Sequence, residues 1–248
     1  MNIVVCISSV PDTTSKIRFL ENGKKFNADG IQFIINPNDE FGLTKAIKLK
    51  ESIGGNVKVI TVGDISVEPV IRKALAIGAD EAIRININPK DSYTTANEIA
   101  IYLKNNPADL IITGRESIDY NGGIVGGIIA EFLDLPFINA CNGLDINENK
   151  ANITREIDGG KENVLLNLPC VIGGQKGLVE ESELRIPNMR GIMQARTKSL
   201  QVIEASSGQN LTTSINFEQP APKENCKLVD ASNVNELVNL LQNEAKVI

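Results

Sequence analysis

The sequence predicts a doubly wound α/β fold, a mostly parallel sheet with helices on both faces, plus an antiparallel hairpin and an extended C-terminal arm. Three observations predict it. From the first residues to about Leu135, apolar runs of strand length alternate with helical periodicity, the order that builds a parallel sheet through crossover helices. Asp109-Leu-Ile-Ile-Thr-Gly114 passes through a glycine-rich turn into the apolar segment 128–133, a strand–turn–helix unit. Of the 248 residues, 42% are hydrophobic, enough to bury a real core without disulfide staples. On this reading residues 1–205 form the α/β domain and residues 206–248 the arm.

Residues 2–7 read as a buried strand, and 31–35 as a second apolar run closed by Asn36-Pro37. Asn38 is placed to cap the next helix, with Asp39 and Glu40 in its first turn, apolar positions at Leu43, Ala46, Ile47, Leu49 and Ile53, and Gly54-Gly55 as its stop. Residues 57–62 make a third strand. Ser66 then caps a helix that tolerates Pro69 in its first turn and ends at Gly78. Strand 82–87, helix 93–105 and strand 109–114 follow, the last being the fifth strand in this count. Beyond Pro136, runs 151–156 and 162–168 flank Asp158-Gly-Gly-Lys161, a hairpin signal. A short helical core falls near 191–195. Residues 206–230 are polar and proline-containing, and 233–244 form an amphipathic helix capped by Ser232. Such a tail gains too little alone; it covers either another polypeptide or its own domain.

Composition excludes several chemistries. With no histidine, Ser-His-Asp and Cys-His catalysis and histidine-ligated zinc are ruled out. Cys6, Cys141, Cys170 and Cys226 include no C-x-x-C pair, which fits reduced thiols in a cytoplasmic protein. No apolar run approaches the roughly 18 residues that span a bilayer, so no membrane span is expected. A net charge of −6, no tryptophan and three tyrosines argue against a nucleic-acid surface.

The glycine turn carries the functional signal. Gly122, Gly123, Gly126 and Gly127 let a backbone approach a ligand with no Cβ in the way, and the helix after them starts with free N–H groups that suit a phosphate. The same spacing also serves a plain structural turn. Asp39 and Glu40 read as helix-dipole acids, not general bases. Ser8 and Ser9 either end the first strand or bond a ribose or phosphate. Cys6 lies in an apolar strand where burial opposes the thiolate, so it reads as packing and not as a nucleophile.

Several fragments together resemble the beta subunit of electron-transfer flavoproteins over nearly the whole chain. They are Asn36-Pro-Asn-Asp-Glu40, Ile71-Arg-Lys-Ala-Leu-Ala-Ile-Gly-Ala-Asp80, Asp109-Leu-Ile-Ile-Thr-Gly114, Ser117-Ile-Asp119, Arg155-Glu-Ile-Asp-Gly-Gly160, and Ile192-Met193 with Ala195. The resemblance implies an adenine-nucleotide-binding α/β fold and a heterodimer with a flavin-carrying alpha subunit. It implies electron shuttling from dehydrogenases such as acyl-CoA dehydrogenases, with no bond-making chemistry by this chain. It also implies a site for AMP, or for a second FAD, formed by Cys6, Asn36, Pro37, Asn38, Asp39, Val62, Asp119, Asn121, Gly122, Gly123, Ile124, Val125, Gly126, Gly127 and Ala130. Gly123, Val125 and Gly126 would offer N–H groups to phosphate and Asn121 a side-chain donor. Residues 184–198 match a dehydrogenase-docking loop with Met189 at the anchor and Ile192 and Met193 beside it. An ordinary solvated charged helix would read the same way. Glu162 matches an acid facing the flavin domain, or is an exposed hairpin charge. Ile124 stands where many relatives carry Gln, Gly127 where Pro or Gln is frequent, and Met189-Arg-Gly where Leu-Pro-Asn is usual. The competing class is an adenine-nucleotide hydrolase or ATP-dependent ligase, but Ser8-Ser-Val-Pro-Asp12 lacks the glycines such an enzyme's first loop would use.

Overall fold

The computed structural model describes residues 1–206, 208–223 and 226–248; Ser207, Glu224 and Asn225, within the expected arm, lie outside the described residues. The strands in chain order are β1 (Asn2–Cys6), β2 (Ser9–Pro11), β3 (Phe19–Leu20), β4 (Lys25–Phe26), β5 (Phe33–Ile35), β6 (Asn56–Val62), β7 (Glu81–Asn86), β8 (Leu110–Gly114), β9 (Phe137–Asn147), β10 (Lys150–Ile157), β11 (Gly160–Asn167), β12 (Cys170–Gly174) and β13 (Leu200–Glu204). The helices are α1 (Pro37–Ile53), α2 (Glu68–Ile77), α3 (Ser92–Asn105), α4 (Val125–Leu133), α5 (Met189–Ala195) and α6 (Val234–Asn239).

Nine strands form one sheet in the order β11-β10-β9-β12-β8-β1-β6-β7-β13. From β9 to β13 every pairing is parallel, and only β9–β10 and β10–β11 are antiparallel. The doubly wound expectation holds, with the hairpin appended at one edge. Along β1 the side chains alternate: Ile3 and Val5 enter one buried cluster with α1 and α2, whereas Val4 and Cys6 enter the other with α3 and α4. That period of two explains why β1 is apolar throughout.

Residues 31–35 correct the strand count. β5 pairs antiparallel with β2 in a separate two-stranded sheet, so β8 is the fourth strand of the parallel sheet along the chain. The chain between β2 and β5 contains no crossover helix, and a parallel neighbour would require one. Three helix starts also shift. Asn36 is the N-cap of α1, with Pro37 in its first turn; Asp64, not Ser66, caps the turn before α2; and Asn233, not Ser232, caps α6. The α2 end is held by two lysines, Lys50 Nζ donating to the Gly78 carbonyl at 3.1 Å and Lys198 Nζ to the Leu75 carbonyl at 2.9 Å, as suits a helix C-terminus.

The arm returns to its own chain before it leaves. Ser206 N and Gly208 N donate to the buried Glu98 carboxylate at 2.7 and 3.0 Å, and Leu211 N and Thr212 N donate to Asp91 at 2.7 and 2.8 Å. Phe217 stacks on Phe19 with centroids 5.1 Å apart. Apart from these anchors the arm turns apolar side chains outward, among them Ile215 and Leu228 and, on α6, Val234, Leu237 and Val238.

Candidate functional site

β1 has β6 on one side and β8 on the other, so the winding direction reverses between β1 and β8. Ligands of open α/β sheets bind beyond the carboxyl ends of the strands at such a point. Cys6, Val62 and Gly114 end the three strands there, and α1 and α4 flank the opening.

The α1 flank is a closed polar clasp. Asp39, 2% exposed, accepts from Ser8 N at 2.7 Å, from Asn36 Nδ2 at 2.9 Å, and from the Gly114 N–H. One carboxylate therefore ties the end of β1 to the end of β8. Asn36 Nδ2 also donates to the Glu116 carbonyl at 2.9 Å, and Asn36 Oδ1 accepts from Ile118 N at 3.3 Å. Asn38 Nδ2 reaches the same Glu116 carbonyl at 3.1 Å. Burial pushes the Asp39 carboxyl up to about 7, against the hydrogen bonds from Ser8, Asn36 and Gly114 that favour its charged form. A Cβ on Gly114 would stand 2.2 Å from Asp39 Oδ1 and 2.9 Å from Asn36 Nδ2. Only glycine fits beneath the clasp.

The α4 flank is built from backbone. Ile124 is the N-cap of α4 and offers no side-chain hydrogen bond, so the first-turn N–H groups carry no cap from it. Asn121 at φ 50 and Gly123 at φ 59 take the left-handed turn that delivers the chain to the helix. A Cβ on Gly123 would find nothing closer than 3.5 Å, and one on Gly122 only Ser92 Oγ at 3.3 Å. Gly126 is different: its Cβ would lie 2.6 Å from Thr113 Oγ1 and 2.8 Å from Phe137 Cε2, so its bareness lets α4 sit close on the sheet. Asp119 is engaged locally, accepting from Ser117 Oγ and from Tyr120 N. Cys6, Val62, Val125 and Ala130 share the apolar cluster under this flank. Burial raises the Cys6 thiol far above its ordinary range, reinforced by Asp39, which leaves it a packing group. Cavities of about 350 Å³ beside Met1 and Asp109, and of about 670 Å³ between Ile17, Phe19 and Pro220, lie away from this crevice. Neither has the helix start or the strand carboxyl ends that make this opening a site.

The expected partner residues fall in two separate places. Glu162, on β11 at one edge of the sheet, is paired with Arg155 Nε at 2.6 Å. Met189, Ile192 and Met193 lie on α5, which rests on α2. Asn188 caps α5 by accepting from Gly191 N at 2.8 Å, and a Cβ on Gly191 would be 2.3 Å from the Ala76 carbonyl oxygen. Met189 and Met193 remain 75% and 67% exposed. Lys198 faces inward as a cap on α2, so its charge does not belong to the outward surface.

Sequence reasoning missed Gly114, whose signal would have been a glycine ending a strand opposite an Asn-x-x-Asp helix start. It also missed a polar chain in which Arg115 Nη1 donates to Gln175 Oε1 at 3.0 Å and Gln175 Nε2 to Glu156 Oε2 at 2.7 Å. No local pattern announces those contacts between distant segments. Among the described residues there is no group of three side chains able to hold a metal, and no helix is long and apolar enough to cross a membrane.

A family model for the electron transfer flavoprotein domain matches residues 24–207. The chain is 37% identical to electron transfer flavoprotein subunit beta of Bacillus subtilis over 262 aligned positions, covering 100% of both chains. It is 33% identical to the subunit of that name from Syntrophomonas wolfei, covering 100% of this chain and 98% of the relative. With the human subunit beta, identity is 29% over 87% of this chain and 86% of the relative. The hydrolase or ligase alternative finds no support among these relatives.

Proposed function

The chain belongs to the electron transfer flavoprotein family as a beta subunit, and from that premise we propose that its switch-point crevice holds an adenine nucleotide, either AMP or the adenylate half of a second FAD. The observation that carries this reading is the α4 flank, a helix start without a side-chain cap from its N-cap residue, reached through Gly122 and Gly123, at the carboxyl edge where β1 and β8 part. The amides of Gly123, Val125 and Gly126 would hold the phosphate, Asn121 would add a donor, and Cys6 and Val62 would lie beside the base. Asn36, Asn38 and Asp39 act by shaping the crevice, since their polar atoms are engaged with the chain itself. AMP brings no redox chemistry, whereas a second FAD brings a ring that carries electrons.

The subunit is an electron-carrier component, not a classical enzyme, and performs no bond-making step in our reading. Its partner is a flavin-bearing alpha subunit, covered by the outward face of α6 at the end of the 206–248 arm. A flavin dehydrogenase, of the acyl-CoA dehydrogenase class, docks on residues 184–198 through Met189, Ile192 and Met193, while Glu162 faces the flavin domain. We assign the protein to the cytoplasm, a reading supported by four cysteines that are all free thiols.

The test is the small-molecule content of the purified heterodimer after denaturation. One FAD with one AMP per heterodimer is the expected result for a simple carrier, and two FAD for a carrier with a second flavin. Release of one FAD and no adenine nucleotide besides it would overturn the assignment.

A further inference from the structure

The sulfur atoms of this chain are divided by exposure. Cys6, Cys141 and Cys170 are buried, and burial raises the Cys170 thiol to about 11 and the Cys141 thiol to about 12. A thiolate is the form of cysteine that attacks a peroxide, and these three withhold it. Met1 is half-buried against the main core. The two remaining methionines of the three in the sequence, Met189 and Met193, stand 75% and 67% exposed. They are four residues apart on α5, hence on one face, with Ile192 and the 84% exposed Ile186 beside them. A thioether needs no ionisation to react.

The helix that presents these sulfurs is fixed from behind. Gly191 abuts the Ala76 carbonyl, Ala195 is buried, and Arg72 Nη1 donates to the Ala195 and Lys198 carbonyls at 2.8 and 3.0 Å. Oxygen added to either sulfur changes the surface and leaves the fold in place.

We propose that Met189 and Met193 form an oxidation site at which a hydroperoxide switches off docking of the dehydrogenase; this rests on the reading of residues 184–198 as the docking surface. The sulfur lone pair attacks the terminal peroxide oxygen, the O–O bond breaks, an S–O bond forms, and the departing alkoxide, or hydroxide from hydrogen peroxide, takes the proton of the transferred oxygen to leave as alcohol or water. Sulfur loses two electrons and the peroxide gains them. The sulfoxide oxygen is a strong acceptor, and an apolar pocket that received the thioether offers it no donor, so docking must strip its water without compensation. A thiol-dependent sulfoxide reductase reverses the change.

The experiment uses the full heterodimer carrying Cys226→Ser in every sample, which removes the exposed thiol. Limited hydrogen peroxide is added, oxidation is located by mass spectrometry, and affinity for the dehydrogenase is measured before and after. The expected result is a gain of one oxygen at each of Met189 and Met193, docking weakened about tenfold or more, and recovery with methionine sulfoxide reductase. The Met189→Leu/Met193→Leu variant, whatever its starting affinity, should lose none of it on treatment. Full oxidation of both residues without weaker docking, or equal peroxide sensitivity of the leucine variant, would overturn the switch. The untreated Met189→Ala/Met193→Ala variant separates the two ideas. Undiminished docking there removes the docking surface and the switch together, whereas weakened docking beside a peroxide-insensitive parent keeps the surface and rejects the switch.

Discussion

The two flanks of the switch-point crevice are made of different material. On the α1 side, polar side chains crowd together and bond one another: Asn36, Asn38 and Asp39 bind Ser8, Gly114, Glu116 and Ile118. On the α4 side, the turn through Gly122 and Gly123 presents backbone, with no cap from Ile124. The polar residues therefore build the frame, and the residues that lack side chains leave room for the guest. A polar side chain near a site is a ligand donor only if its hydrogen-bonding capacity is unspent.

The sharpest way to break this contrast is to load the clasp. Gly114→Ala forces a Cβ against Asp39 and Asn36, neither of which can swing away without losing buried hydrogen bonds, and should cost about 3 kcal/mol or more by denaturant unfolding. A second test is pH. The folded Asp39 holds its proton up to about 7, whereas an ordinary aspartate loses it at 3.8, so unfolding releases a proton between those limits. The stability associated with the protonated form is full below pH 3.8 and is lost as pH rises through 7. Measured against Asp39→Asn, the parent should thus lose about 2 kcal/mol or more across that window and nothing further above it. A flat difference curve would mean that the clasp is solvated.

Smaller effects should separate the glycines of the α4 flank. Gly126→Ala should destabilise by about 1–2 kcal/mol because the Phe137 ring and Thr113 must shift. Gly127→Ala, whose Cβ would sit 3.5 Å from Phe137, should be neutral or stabilise by up to about 1 kcal/mol through helix propensity. Gly123→Ala should cost only about 1 kcal/mol of left-handed strain, yet lower the adenine nucleotide retained by the purified heterodimer. Full retention in that variant would place the guest elsewhere.

The parallel strands β1, β6, β7 and β8 were legible because they are covered on both faces and so read as unbroken apolar runs, whereas β12, equally buried, runs into two glycines after Ile172 and does not announce itself. β9 was not legible, because its pairing with β12 slips between Ile172 and Gly174, and Ala140 takes φ 56 there, breaking the alternation that marks a strand. β13, an edge strand of five residues, is half exposed and carries little pattern. At the site, the glycines were visible but their duties were not: Gly123 frees a turn, and Gly126 seats a helix. Asp39 read as a dipole acid since its neighbours in sequence do not disclose that the ends of two strands lie within its reach.

One turn of the topology fixes what the β9–β11 ribbon depends on. β12 lies between β8 and β9, and β9 has no hydrogen-bonded neighbour in the parallel sheet except β12. The ribbon from Phe137 to Asn167 is therefore hydrogen-bonded to the body of the sheet through a strand that follows it in the chain, with the Phe137 ring against α4 as a side-chain contact. Backbone pairing of the ribbon with the parallel sheet thus depends on residues 170–174, which begin three positions beyond the ribbon's own end.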